Sequence, residues 1–142
     1  MQGYREWSDC MPMSNPKAEH IDFSEFEGLI PENAKWSASN LDMCYHRANK
    51  DRTKDSFLFV EWKHPDERQM LPGQKYLLEA LSRQPTTQVL LVIGWSKPND
   101  VQVNTIYKVS TDKLTELSIP ENQTGVDKLK SLIRIWYDWV SR

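Results

Sequence analysis

Hydrophobic and polar residues alternate in one early segment of the chain, and two later segments are almost wholly apolar. Residues 40–45 alternate, whereas residues 57–63 are apolar except for Glu61 and Lys63, and both patterns predict strands. The polar stretch between them, residues 47–55, is typical of a hairpin loop, so the two strands should be antiparallel neighbours. The near-continuous apolar run at residues 88–95 predicts a central strand that is covered on both faces.

Apolar residues at helical spacing predict three helices. Pro72 suits the first turn of one helix, and leucines follow Gln74 at three, four and seven residues. A terminal helix is expected within residues 120–142, with an apolar stripe of Val126, Leu129, Leu132, Ile133, Trp136 and Val140. A third helix should cover residues 21–30 and end at Pro31.

The remaining segments complete an α/β order. Residues 101–110 suggest a further strand after a turn at 97–100, and residues 1–19 should be irregular. The predicted order is helix, strand, strand, helix, strand, strand, helix. A chain of 142 residues with 39% hydrophobic content suits one domain, in which helices flank a small mixed central β-sheet.

The candidate chemistry lies at the end of the second strand. Glu61 and Lys63 are two residues apart, so their side chains must point to the same side of the sheet. Asp42 ends the apolar alternation of the preceding strand, and antiparallel pairing would bring it beside Glu61. Two adjacent carboxylates repel unless a cation neutralises them, and Mg²⁺ or Mn²⁺ is the natural occupant of an all-oxygen site. The alternative is that Glu61 and Lys63 form an ordinary solvated salt bridge.

Gln74 begins the apolar stripe of its helix and should therefore face inward, where an amide needs hydrogen-bond partners. Hydrogen bonds to backbone groups would satisfy the Gln74 amide equally well. Beside Asp42, Glu61 and Lys63, an active-site role is the better interpretation.

In order and spacing, these residues resemble the PD-(D/E)xK nuclease superfamily. The match covers roughly residues 20–95 and is similar to small phage-type members, although Ser39-Asn40 stands where the superfamily's name has proline. The resemblance implies a restriction-endonuclease-like core. It also implies a magnesium-dependent nuclease in which Asp42 and Glu61 ligate the metal and Lys63 supports the attacking water.

The same resemblance suggests roles for three further groups. Gln74 would position the lysine or the phosphate, and the backbone carbonyl of Trp62 would add a metal ligand. The superfamily often adds an acid from the helix before the first strand. Glu27 is the candidate here because it lies nearer the apolar stripe than Glu25 does, although a solvated acid on a surface helix is the preferred interpretation.

The net charge of −2 is unusual for a DNA-binding protein, so the distribution of charge matters. Residues 1–45 carry three Lys/Arg and eight Asp/Glu, whereas residues 46–75 carry seven and five. A local basic rim could therefore meet DNA phosphates, or it could be a solvated loop. Its residues are Arg47, Lys50, Arg52, Lys54 and Lys75. The aromatic residues near the carboxyl terminus (Trp136, Tyr137 and Trp139) are expected to be core or helix-packing groups rather than platforms on which bases stack.

The cysteines and the absence of membrane and signal-peptide patterns in the sequence indicate the cellular compartment. Cys10 and Cys44 form no metal-binding or disulfide pattern, which favours a reducing compartment. The sequence shows no membrane-spanning run and no signal peptide, so we expect a cytoplasmic protein of a bacterium or a phage-infected cell. DNA is the expected partner, and a homodimer, an RNA substrate and a catalytically silent adaptor or inhibitor all stay open.

Overall fold

The computed structural model describes residues 24–34, 36, 38–39, 41–67 and 72–140. The chain divides into two compact units, residues 1–38 and residues 39–142. The first unit contains two 3₁₀ turns, Ser24–Phe26 and Pro31–Asn33. Of the helix predicted over residues 21–30, the described residues 24–30 form only the first of these turns. Gly28 has a positive φ of 67°, and this left-handed conformation cannot continue a right-handed helix. The predicted irregular segment 1–19 and Cys10 lie outside the described residues.

The second unit is a five-stranded sheet with two helices. Its strands are β1 (Met43–Ala48), β2 (Asp55–Lys63), β3 (Thr87–Lys97), β4 (Asp100–Ser110) and β5 (Lys113–Leu117). Helix α1 (Pro72–Ser82) connects β2 to β3, and α2 (Gly125–Val140) follows β5. The strand order is β1-β2-β3-β4-β5; β2 and β3 are parallel, and the other neighbours are antiparallel. The prediction of an α/β protein with a mixed central sheet is confirmed.

The hairpin between β1 and β2 sets the register of the candidate site. Asn49 holds the loop, because its side-chain oxygen accepts hydrogen bonds from the backbone N–H groups of Thr53 and Lys54, each at 3.0 Å. At the other end of the pair, Met43 lies opposite Val60. The next pair outward is therefore Asp42 opposite Glu61, as the sequence predicted.

Hydrophobic side chains cover both faces of the sheet, which explains the nearly continuous apolar run of β3. One core lies on the α2 side of the sheet and includes Leu58, Val60 and Trp136. The other lies on the α1 side, where Phe59 packs with Leu78 and its neighbours. Side chains alternate along β2, so Glu61 and Lys63 share the α1 side with Phe59.

Helix α2 is the predicted terminal helix, although it begins only at Gly125. A Cβ at that position would collide with the backbone of Val103, so glycine permits the close approach of helix and strand. The whole predicted apolar stripe packs against the core on this side of the sheet. Trp136 is buried in the core as expected, whereas Tyr137 and Trp139 are 52% and 54% exposed and do not belong to the core. Among the described residues, neither helix combines the length and the apolar content needed to cross a bilayer.

Candidate functional site

Asp42 and Glu61 are joined at the end of the β1–β2 pair that lies away from the hairpin. The backbone N–H of Asp42 donates to Glu61 Oε2 at 3.3 Å. In return, the backbone N–H of Trp62 donates to Asp42 Oδ2 at 2.8 Å. Each carboxylate is thus anchored by the backbone of the opposite strand. The sequence predicted that the two acids would be neighbours, but it carried no signal for these two backbone donors.

The environment of Glu61 disfavours its charged form. The residue is only 5% exposed. Burial, together with the negative charge of Asp42, raises the pKa of Glu61 to about 7. The hydrogen bonds from the Asp42 N–H and from Gln74 act in the opposite direction but do not compensate. The site therefore disfavours a second negative charge beside Asp42, and a divalent cation would relieve that repulsion.

Gln74 reaches the same carboxyl group from helix α1. Its side-chain Nε2 donates to Glu61 Oε1 at 2.5 Å. Helix α1 begins at Pro72, as predicted, which places Gln74 in the first turn and facing the sheet. The amide therefore positions Glu61, whereas the sequence suggested Lys63 or a phosphate as its partner.

Lys63 lies on the same face of β2 as Glu61, about 7 Å further along the strand. It is only 8% exposed. Among the described residues, none of the ion pairs involves Lys63. The alternative in which Glu61 and Lys63 form a solvated salt bridge is therefore not what this structure contains. Most of the Lys63 side chain is buried, and its ammonium group has no carboxylate partner among the described residues, so it is suited to an incoming anion.

The donors at this end of the sheet are all oxygen atoms. Within the described residues, no group of three or more His, Cys, Asp or Glu side chains forms a ready metal cage. Mg²⁺ is commonly held by only one or two carboxylates, with water and phosphate oxygens completing its shell. The N–H and C=O of a strand residue point to the same edge, so the Trp62 carbonyl faces the edge where its N–H meets Asp42. Asp42, Glu61 and this carbonyl fit such an ion in number and chemical type.

Glu27 lies in the first unit, just after the 3₁₀ turn Ser24–Phe26, and its backbone N–H donates to Ser24 O at 3.4 Å. Its assignment as a metal ligand stays a prediction.

The structure scatters the residues predicted to bind nucleic acid. Arg47 stacks its guanidinium on the Tyr137 ring, 3.4 Å from the centroid, and donates to the Tyr137 carbonyl at 2.9 Å. It therefore ties β1 to α2, on the side of the sheet away from Glu61. Lys75 follows Gln74 on α1, and its Nζ lies 3.8 Å from the buried Glu79 carboxylate.

The remaining predicted cations (Lys50, Arg52 and Lys54) are exposed in the β1–β2 loop. That loop is about 20 Å from Glu61, because Glu61 lies six residue steps along the extended strand from Asp55, where β2 begins. These cations cannot contact the phosphate that Glu61 and Lys63 would contact. They could contact only a distant part of a long substrate.

Comparisons with protein-family models, with curated proteins and with solved structures found no match to this chain.

Proposed function

We propose that this protein is a metal-dependent nuclease that hydrolyses phosphodiester bonds, in DNA by preference, with a site of the PD-(D/E)xK kind on a restriction-endonuclease-like core. The observation that supports it best is the pair of carboxyl groups, Asp42 and Glu61, joined at one strand end with the unpaired Lys63 on the same face. Placing the buried Glu61 carboxyl beside the exposed Asp42 carboxylate is costly in a purely structural role, because burial and the nearby negative charge both oppose its ionisation.

Asp42, Glu61 and the Trp62 carbonyl would hold Mg²⁺ or Mn²⁺. When bound, that ion would supply positive charge to phosphate oxygens and lower the pKa of a water molecule. The Trp62 N–H keeps the Asp42 carboxylate in place, and Gln74 does the same for Glu61. Both acids would then present their oxygens without having to reorganise.

Lys63 would act on the substrate itself. Its ammonium group is fixed on a central strand and lacks a carboxylate partner among the described residues. In the transition state for phosphodiester hydrolysis, charge grows on the phosphoryl oxygens. A preorganised cation at that position stabilises the transition state more than the ground state.

The decisive experiment is cleavage of linear, circular and branched DNA, and of RNA, each with Mg²⁺, with Mn²⁺ and with EDTA. We expect cleavage that EDTA abolishes and that Glu61→Gln and Lys63→Ala both remove. Glu79→Gln is the matched control, because Glu79 is also a buried glutamate but lies on α1, outside the site. Cleavage at the wild-type rate in either site variant would contradict the mechanism. Nucleic-acid binding without cleavage under every condition would favour the adaptor.

A further inference from the structure

Two aromatic rings are stacked just beyond the candidate site. His64 directly follows β2 and Trp95 lies near the end of β3; their ring centroids are 5.6 Å apart and their planes differ by 29°. The Trp95 indole N–H donates to Asp100 Oδ2 at 3.0 Å, and the Asp66 backbone N–H donates to His64 Nδ1 at 3.2 Å. One hydrogen bond therefore fixes the orientation of each ring: the indole of Trp95 donates and the imidazole of His64 accepts.

The register of the sheet places this pair on the same side as the acid pair. Lys63 lies beside Ile93, whose side chain packs in the core on the α1 side. The register between β3 and β4 shifts between Ile93 and Gly94, because β4 has one extra residue there. Side chains along β3 itself therefore continue to alternate between the two faces of the sheet. Trp95, two residues after Ile93, therefore also points to the α1 side.

The separation between the pair and the site is also set by sheet geometry. Trp95 lies on the strand next to Lys63, two residues beyond Ile93, which pairs with Lys63. The Cα atoms of Lys63 and Trp95 are therefore about 8 Å apart. The same reasoning places Trp95 about 14 Å from Glu61. That span corresponds to about four stacked nucleotides at 3.4 Å each.

The chemistry of the pair suits a neutral planar group rather than a phosphate. The His64 side chain is 42% exposed, so the stack is accessible from its outer side. The carboxylates of Asp66 and Asp100 border the two rings and would repel a phosphate there. A nucleobase is neutral and planar, and base–aromatic stacking tolerates any base because every base has a π-face.

We propose that His64 and Trp95 form a stacking site for an unpaired nucleobase of the substrate strand. This inference rests on the proposed nuclease function and narrows its substrate to nucleic acid with a single-stranded part, such as a frayed end, flap or branch. A base inside an intact duplex is already stacked on both faces and cannot occupy the site without leaving the helix.

The test measures binding without chemistry. In EDTA, fluorescence anisotropy would compare a labelled DNA single strand of about a dozen nucleotides, the same strand with abasic sites, and a blunt duplex. We expect the wild-type protein to bind the intact strand best. Trp95→Ala should weaken that binding about tenfold or more and leave the abasic strand unaffected, whereas Trp95→Phe should retain most of the affinity. Trp139→Ala is the control, because Trp139 is an exposed tryptophan on the opposite side of the sheet.

The outcomes separate this inference from the nuclease proposal. Equal affinity of wild-type protein for intact and abasic strands, or no binding of either, would overturn the stacking site. If cleavage with Mg²⁺ persisted in that case, the nuclease proposal would stand alone. A loss of base preference in Trp95→Ala without any cleavage by the wild-type protein would support the stacking site and refute the nuclease. His64→Ala gives a second, independent reading, because His64 lies outside the strand and its removal leaves the core intact.

Discussion

Replacing Glu61 by glutamine should make the metal-free protein more stable at neutral and alkaline pH. The substitution keeps the shape of the side chain and its ability to accept a hydrogen bond from the Asp42 N–H. Gln74 can rotate its amide to match the new partner. What the substitution removes is the charge that burial and Asp42 both disfavour.

The magnitude follows from the pKa of Glu61, which is raised from 4.5 to about 7 in the folded protein. Between these values the folded state binds more protons than the unfolded state, so the free energy of unfolding falls as pH rises. At about 1.4 kcal/mol per pH unit, the full loss is about 3.5 kcal/mol and is nearly complete at about pH 8, one unit above the folded-state pKa. For a chain of this size that corresponds to roughly 10 °C in melting temperature.

Urea unfolding in EDTA across the range from pH 5 to pH 8 would measure this effect. The wild-type protein should lose about 2.5 kcal/mol relative to Glu61→Gln over that range. Glu79→Gln should keep the wild-type dependence, because it leaves the acid pair intact. Asp42→Asn should reduce the dependence without breaking the fold, since an asparagine oxygen can still accept the Trp62 N–H.

Parallel pH profiles for the wild-type protein and Glu61→Gln would refute this account of the site. Added Mg²⁺ or Mn²⁺ provides a second check, because a metal competes with the proton on Glu61 and stabilises only the folded state. The rise in melting temperature should be larger at pH 8 than at pH 6, and Glu61→Gln and Asp42→Asn should both lose it. A weak site would need an added duplex before the shift appears.

Three further predictions concern the groups around the acid pair. Lys63→Ala should lower cleavage about a hundredfold or more, yet leave the metal-induced rise in melting temperature in place; loss of both would mean that the lysine supports the fold instead. Gln74→Leu should raise the pKa of Glu61 further, because it removes a hydrogen bond that lowers that pKa, and metal binding followed against pH should shift to higher pH. Neutralising the three loop cations, Lys50, Arg52 and Lys54, should reduce the slope of log affinity against log salt concentration by up to about three. An unchanged slope would mean that nucleic acid binds elsewhere on the protein.

Local hydrophobic patterning was sufficient to predict most elements of the second unit. The apolar runs of β2 and β3, the start of α1 at Pro72 and the buried stripe of α2 all follow from periodicity over a few residues. The same patterning predicted that β1 and β2 pair across a polar loop, which placed Asp42 beside Glu61. It missed β5 because that edge strand is short and almost wholly exposed, so it has little of the apolar alternation that marks a strand.

The first unit shows where periodicity misleads. Residues 21–30 have apolar side chains at helical spacing, but the described part contains only a 3₁₀ turn before Gly28 adopts a positive φ. A single backbone conformation that glycine permits outweighs the weak preference of a short helical pattern.

By itself, the sequence determined which side chains share a face, because alternation along a strand and spacing along a helix are local properties. Only the tertiary structure decided which of them meet. Packing of α1 on the sheet brings Gln74 into hydrogen-bond contact with Glu61, and the contact with α2 holds Arg47 apart from the predicted basic rim. Lys63 is buried and has no carboxylate partner among the described residues. The raised pKa of Glu61 is also a feature that only the tertiary structure decides. Burial and the charge of Asp42 act through distance and solvent exclusion, which strand register and helix packing create only when the whole sheet is assembled.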